Sequence, residues 1–348
     1  MGIASRSVGR SAPRLLVGAV LAALLTMSTA GAALGDTSTT VPSSADSTIA
    51  APTDVYIRDV AADVGLQPHS YNPLWASPDI KVCHTAVECA VSQNPIVGIT
   101  NYIFVKLRNP GPYGSGLGNG TLRVYRTTPG GGATWPGAWT QIGAVSVPVP
   151  AGTTTVTIPW NGVPGPGHFC LLARWVSPTD PMVFEGPDIS LNTRYNNNIA
   201  WRNVNSVNLF VGQPQVRPFA IGNSLTVATR NDLVFTPVGA PFQAAGGRII
   251  ADLGPTLFER WVAAGRPGEG IREVGRNQVE IVSQGSARIN DLLLNPGERP
   301  EFSLIFTATA ATTRPFTLHV NQAGPDKEGA AKTDLGGVEY QITVGQQG

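Results

Sequence analysis

An all-β protein of two consecutive immunoglobulin-like β-sandwich domains, the second with one short helix, is the fold class this sequence predicts. Three observations point to it. Gly (40) and Pro (29) make up about a fifth of the 348 residues, against roughly an eighth on average. Charged residues are only 14%, a composition that opposes long, salt-bridged helices and favours short strands joined by turns. Short runs with period-2 alternation recur between Gly/Pro/Asn turn signals, as half-buried strands require. A hydrophobic content of 42% suffices for packed cores and opposes wholesale disorder.

The chain opens on an expected export signal at residues 1–35. Arg6, Arg10 and Arg14 form a basic start, and Leu15 to Met27 is an apolar run of 13 residues. That run is short for a bilayer span, which takes ~20 residues. Small residues follow, and cleavage is expected after Ala32 or Gly35. No second apolar run reaches spanning length, so the mature chain is expected to have no membrane span and to be secreted. Residues 36–53 are small, polar and aperiodic and read as a flexible linker.

The first sandwich is expected over 54–213. Val55–Val60 is a short strand-like run, and Tyr102–Asn109 is a stronger one, closed by Pro110-Gly111. Thr121–Arg126 alternates apolar and polar residues. Val145, Val147 and Val149, then Thr154, Val156 and Ile158, continue the pattern around an Ala151-Gly152 turn. Phe169–Trp175 is almost continuously apolar, as a central strand is. Asn198–Val204 and Val207–Leu209 supply the last strands, giving about seven. Gly130-Gly131-Gly132 reads as a loose hairpin tip.

The second sandwich is expected over 214–348. Strands are read at Ser224–Thr229, Leu233–Phe235, Arg248–Leu253, Gln278–Val282, Ser303–Thr307, Phe316–Val320 and Val338–Val344, with a turn at Asn295–Glu298. One helix follows Pro255, which suits a first helical turn. Leu257 and Trp261 share a face at i, i+4, and Gly265 stops the run.

Of the three cysteines, Cys83 and Cys89 enclose a five-residue loop and are expected to pair. Cys170, inside an apolar run, is expected to be free, although the sequence leaves a bridge to it open.

Four segments carry a resemblance: Ser77–Ile80; Asn94-Pro95 with Asn101–Val105 and Arg108-Asn109; Gly167–Arg174; and Asn197–Val204. In that order they resemble an immunoglobulin-like (CARDB-like) accessory domain of secreted and surface bacterial proteins, over about residues 54–210. The resemblance implies an accessory role beside enzymes or adhesive modules and brings no activity with it.

Candidate chemistry is sparse. His69, His84, His168 and His319 form no H-x-x-x-H spacing, so no metal site is expected. No G-x-S-x-G occurs to form a nucleophile elbow. Cys170 lies two residues from His168, but apolar surroundings raise a thiol pKa and quench it. His168 itself is read as structural. Asp54, Asp59 and Asp79 do not match a calcium loop and read as solvated loop carboxylates. Net charge is +1, with no basic cluster for nucleic acid. Six of the seven tryptophans fall in the first unit. Trp175 and Trp201 read as core anchors, whereas Trp135 and Trp139 lie in a Gly/Pro-rich loop expected on the surface, where rings can stack on sugars.

The function expected is therefore that of a secreted, non-catalytic accessory, adhesive or binding protein. No cofactor is expected, and the expected partner is a protein or polysaccharide that the sequence does not identify. One alternative is a carbohydrate-binding module using Trp135 and Trp139. Another is a secreted hydrolase with an unrecognised carboxylate site.

Overall fold

The structure, a computed structural model, describes residues 53–165 and 167–346. The expected export signal and all of the linker but Thr53 lie outside the described residues. Among the described residues no helix is long and apolar enough to cross a membrane.

The fold is all-β. The first sandwich pairs strands β1 (Ile80–Cys83), β2 (Asn101–Asn109) and β5 (Gly152–Trp160) in one sheet. Its facing sheet has the order β4 (Thr140–Val149), β3 (Gly118–Thr127), β6 (Cys170–Val176), β7 (Ile199–Arg202). Every pairing is antiparallel. The inward residues of both sheets, among them Ile103, Val105, Leu122, Val124, Ala173 and Trp175, make one core. β6 lies inside the sheet between β3 and β7, in keeping with its almost continuously apolar run.

The second sandwich is larger. Its six-stranded sheet has the order β12 (Gly268–Glu269), β15 (Ala287–Leu294), β10 (Thr229–Val238), β17 (Phe316–Pro325), β18 (Lys332–Gly345), β8 (Val204–Phe210). The facing sheet has the order β13 (Ile271–Gly275), β14 (Gln278–Ile281), β11 (Gly247–Asp252), β16 (Glu301–Ala308), β9 (Gln215–Ala220). The expected helix is α2 (Gly254–Ala263), which buries Leu257 and Trp261. Gly265 takes φ +91°, and its N–H and that of Arg266 close back on the Val262 and Trp261 carbonyls. The expected turn forms too, with the Glu298 N–H donating to the Asn295 carbonyl at 3.1 Å.

Several elements differ from expectation for definable reasons. Val55–Val60 makes only an isolated bridge, Tyr56 with Arg108. Side chains take its backbone donors: the Val55 N–H goes to Asp180 and the Arg58 N–H to Asp79. Ser224–Val227 is not strand. Asn223 accepts from the Leu225 N–H and donates to the Val227 carbonyl, so a side-chain turn replaces a ladder. A helix in the first sandwich, α1 (Ile189–Tyr195), was not expected. Asp188 caps it, accepting from the Ser190 and Leu191 N–H groups at 2.8 and 3.3 Å.

The largest difference is β8. Val204–Phe210, expected to finish the first sandwich, runs parallel to β18 in the second. Only Asn203 separates β7 from β8, and this residue is fully buried, so no flexible linker joins the sandwiches. Asn203 donates to the Gly337 carbonyl at 2.8 Å and accepts at its own carbonyl from the Glu339 N–H at 2.9 Å. The outer edge of β8 is covered: Asn94 exchanges two hydrogen bonds with the Ser206 backbone, which blocks edge-to-edge pairing there.

Cys83 and Cys89 form the expected disulfide, and Cys170 is free and buried. Closing so short a loop removes modest chain entropy. A Cys83→Ala/Cys89→Ala chain is expected to lose about 2 kcal/mol of stability, read as a lower midpoint in urea unfolding.

Candidate functional site

The site with converging polar groups lies at the junction of the sandwiches. It is an open cleft of about 310 Å³ lined by Asn72, Pro73, Trp75, Thr236, His319, Asn321 and Asp334.

Two elements build it. The floor is the outer face of the six-stranded sheet, where register sets three residues in a row across β10, β17 and β18. Thr236 lies opposite His319, and His319 opposite Glu339. In β17 the core residues Leu318 and Val320 alternate with His319 and Asn321, so period 2 puts both polar residues on this face. The wall comes from the first sandwich. The segment Trp75–Ser77 lies along β7: Asn203 N–H donates to the Trp75 carbonyl at 2.7 Å, and Ser77 N–H to that of Trp201 at 3.2 Å. Arg202 adds a bond to the Ser77 carbonyl at 2.8 Å. This pairing holds Trp75 edge-on to His319, with ring centroids 6.3 Å apart.

His319 Nε2 lies 3.1 Å from Glu339 Oε2, and Gln341 donates to the other oxygen. The bond from His319 holds the Glu339 carboxyl below its usual range. Asp334 accepts from the Gly336 N–H through Oδ1 at 2.9 Å, while its Oδ2 is buried without a hydrogen-bond partner. Burial pushes this carboxyl up to about 6, against the Gly336 bond, the charge of Arg194 and the side-chain amide of Asn321. The Trp75 indole N–H also lacks a partner.

The residues singled out from sequence lie elsewhere. Trp139 is only 8% exposed and packs 6.4 Å from Trp201, centroid to centroid. Trp135 is half-buried. Its N–H donates to Glu185 at 2.8 Å, Tyr125 meets its edge, and the Arg174 guanidinium lies over its ring. The expected open loop is thus a folded-down one. Thr134 bridges to Asp188, Trp135 N–H reaches the Pro187 carbonyl, and a tight turn returns Trp139 N–H to the Pro136 carbonyl.

The cause is the glycine run, which is not a loose hairpin tip. Gly131 N–H donates to the Ala220 carbonyl and Gly132 N–H to that of Leu335, each at 3.0 Å. A Cβ at Gly130 would overlap the Ala220 carbonyl oxygen, and one at Gly132 that of Gly222. Three glycines are what this backbone-to-backbone seam needs. Arg299 closes it, donating to the Thr128 carbonyl at 2.8 Å.

The carboxylates expected in solvent are buried. Arg58 and Arg108 both fork onto Asp79; burial would raise its pKa, and the two arginines outweigh that and hold it low. Asp54 accepts from the Tyr113 N–H and from Asn197. Asp59 lies 2.9 Å from His69. Among the described residues no group of three or more His, Cys, Asp or Glu is placed to hold a metal ion. Burial pushes the Cys170 thiol up, which suppresses thiolate chemistry. His168 is held 3.3 Å from Asn205, and burial lowers it to about 4.

Sequence reasoning missed the cleft because its residues are 72–75, 236, 319–321 and 334, with no local spacing to join them. The available signal was the pattern Leu318-His319-Val320-Asn321-Gln322, which places an imidazole and an amide on one strand face.

No protein family matches the chain, and no curated protein does. Among solved structures, it is similar to a transglutaminase from red sea bream at 13% identity, covering 77% of this chain and 31% of that one, with a TM-score of 0.20. It is also similar to a collagen adhesin from S. aureus at 8% identity, covering 76% and 92%, with a TM-score of 0.23. A third is the CupB6 tip adhesin from Pseudomonas aeruginosa at 9% identity, covering 77% and 99%, with a TM-score of 0.16. The chain spans about a third of the transglutaminase. Likenesses this slight do not bear on what the chain binds or does.

Proposed function

We propose that this chain is an exported, non-catalytic β-sandwich protein that acts as an accessory or adhesive binding module and takes its ligand in the junction cleft. One observation carries the reading. The glycine seam and the β7–β8 crossover lock the two sandwiches together, so the polar cleft between them is preformed. Ligand sites favour such junctions, with a few placed polar groups in a fixed concavity. Export is supported by the basic and apolar start of the chain and by the Cys83–Cys89 disulfide, which suits an oxidising compartment. The sequence resemblance over 54–210 supports the accessory role. The alternative resting on loop tryptophans keeps only Trp135 as a partly exposed ring.

A second reading is a hydrolase, favoured by the hydroxyl–imidazole–carboxylate row Thr236, His319, Glu339. No hydrogen bond joins Thr236 to His319, whereas an activated nucleophile must lie within such reach of its base. The binding module is therefore preferred.

Expression in a bacterial host should place the chain outside the cell, with a new N-terminus after Ala32 or Gly35 found by N-terminal sequencing. A chain that keeps Met1 and stays in the membrane fraction would overturn export. A screen of ester, glycoside and peptide substrates is expected to show no turnover. Turnover lost in His319→Ala would replace the binding reading with the second one.

A further inference from the structure

We infer that the side of the first sandwich formed by the edge strands β4 and β5 is a self-association surface, on which a second copy of this chain adds its own β4 and β5 about a twofold axis. This goes beyond the binding reading and does not depend on the junction cleft.

A sheet edge presents a row of unpaired N–H and C=O groups, and natural proteins cover, shorten or charge such edges. Of the eight edges of the four sheets, six follow that rule. On β1 the Val82 N–H donates to the Ser92 hydroxyl at 3.0 Å, and the Val82 carbonyl accepts from the Gln93 N–H at 2.8 Å. Trp75–Ser77 covers β7, and Asn94 covers β8. β9 carries Arg217 and Pro218, and its Ala220 N–H goes to the Pro129 carbonyl at 2.8 Å. β13 exposes Arg272 and Glu273, and β12 is only two residues long.

β4 and β5 are the exceptions. They are 10 and 9 residues long, and each pairs on one side only, with β3 and β2. Residues 127–167, which include both strands, contain no Asp, Glu, Lys, Arg or His. Among the described residues, the one backbone group of these strands bonded outside its ladder is the Val149 carbonyl, which accepts from Asn109. Each strand has one proline, Pro148 or Pro159, next to its last residue, so the edge is blunted only there. Pro148 has no N–H for the β3 ladder, which sets its backbone facing out of the sheet. Alternation gives Ala144 and Ser146 the same direction, with both N–H and C=O to offer. All three are exposed, whereas Val145 and Val147 pack against the core.

Two observations select the occupant. First, the free edges stand side by side. Only Pro150 and Ala151 join the strands, and a Cβ at Gly143 would lie 2.7 Å from the Ile158 side chain. A lone extended peptide pairs with one edge and leaves the other open. A second copy, turned about an axis perpendicular to the strands, sets β4 against β4 and β5 against β5, both antiparallel, and continues both sheets. Second, antiparallel self-pairing sets a strand against its own sequence, so a charge near the axis meets its like. This edge has no charge to repel its copy.

Sedimentation equilibrium of the purified chain at micromolar concentration is expected to give twice the monomer mass. Ala144→Lys/Ser146→Lys puts like charges across the axis and should weaken the dimer at least about tenfold, as should Ala144→Glu/Ser146→Glu. An equimolar mixture of the two variants should restore it, which neither a folding defect nor loss of the Ser146–Thr121 hydroxyl contact imitates. In the wild type, exchange of the Ala144 and Ser146 amide protons should slow as concentration rises. A chain that stays monomeric overturns the inference, even if it takes up a foreign extended peptide. A dimer that ignores both variants, or whose Ala144 and Ser146 amides exchange at the same rate at every concentration, places the contact on another face and overturns it too. Loss of the dimer without restoration on mixing overturns the twofold pairing of β4.

Discussion

A Trp201→Ala chain is expected to lose about 3–5 kcal/mol of stability, the usual cost of truncating a buried tryptophan, and to lose it from both sandwiches at once. Trp201 is fully buried in β7, among Leu74, Trp75, Trp139, Leu172 and Ile199. Its far edge abuts Gly336 of β18, where a Cβ would lie 2.5 Å from the ring. The indole therefore fills a space that both sandwiches enclose. Calorimetry of the wild type should show one unfolding transition, and the variant one transition at a lower temperature. Two separate transitions, with only one shifted, would show that the sandwiches fold independently and would remove the basis for a preformed cleft. Trp201→Phe keeps part of the ring volume and is expected to cost less.

Stability is also expected to rise by several kcal/mol as pH falls from 8 to about 5. Burial raises Asp59 and Asp180 to about 7 and Asp334 to about 6, from an ordinary value of 3.8. Each folded-state carboxyl holds its proton more tightly than the unfolded chain does. Below about 4 neither state ionises and no cost arises. Between about 4 and 7 the unfolded chain ionises first, so stability falls as pH rises and levels off above 7. His168, lowered to about 4, works the other way and costs stability as pH falls through 6.5 toward 4. Three carboxyls against one imidazole place the optimum on the acid side. Urea unfolding across pH 4–8 measures this. Asp180→Asn, which stays neutral where Val55 N–H meets it, should flatten the profile. A stability that is flat or rises between pH 5 and 8 would contradict the burial of these groups.

Much of the fold was legible. β6, β11, β16, β17, β18 and α2 stand out because each is a local pattern, a period of two or a face repeating at i, i+4. β13 and α1 were not legible. β13 reads Ile-Arg-Glu-Val-Gly and lies at a sheet edge, largely exposed, so little apolar signal marks it. α1 holds Ser190, Asn192 and Thr193 on its buried side, where hydrogen bonds replace apolar contact. Asn192 and Asn196 bind the backbone of Val183–Gly186, a use that hydrophobic periodicity cannot report.

The site was less legible than the fold. Trp135 and Trp139 drew attention because a Gly/Pro-rich loop usually lies on the surface. Here the glycines serve close backbone approach, and the loop is pressed into the seam.

By itself the sequence determined the all-β class and the position of the one amphipathic helix, and it favoured the Cys83–Cys89 pairing while leaving a bridge to Cys170 open. Each follows from near neighbours or from composition. Only the tertiary structure decided that β8 belongs to the second sandwich, that the glycine run is a seam, and that His319, Asp334 and Trp75 share a cleft. Those depend on which backbone edges remain unpaired and which polar groups need partners once both cores have formed. Residues more than 240 positions apart in the chain, such as Trp75 and His319, meet only then.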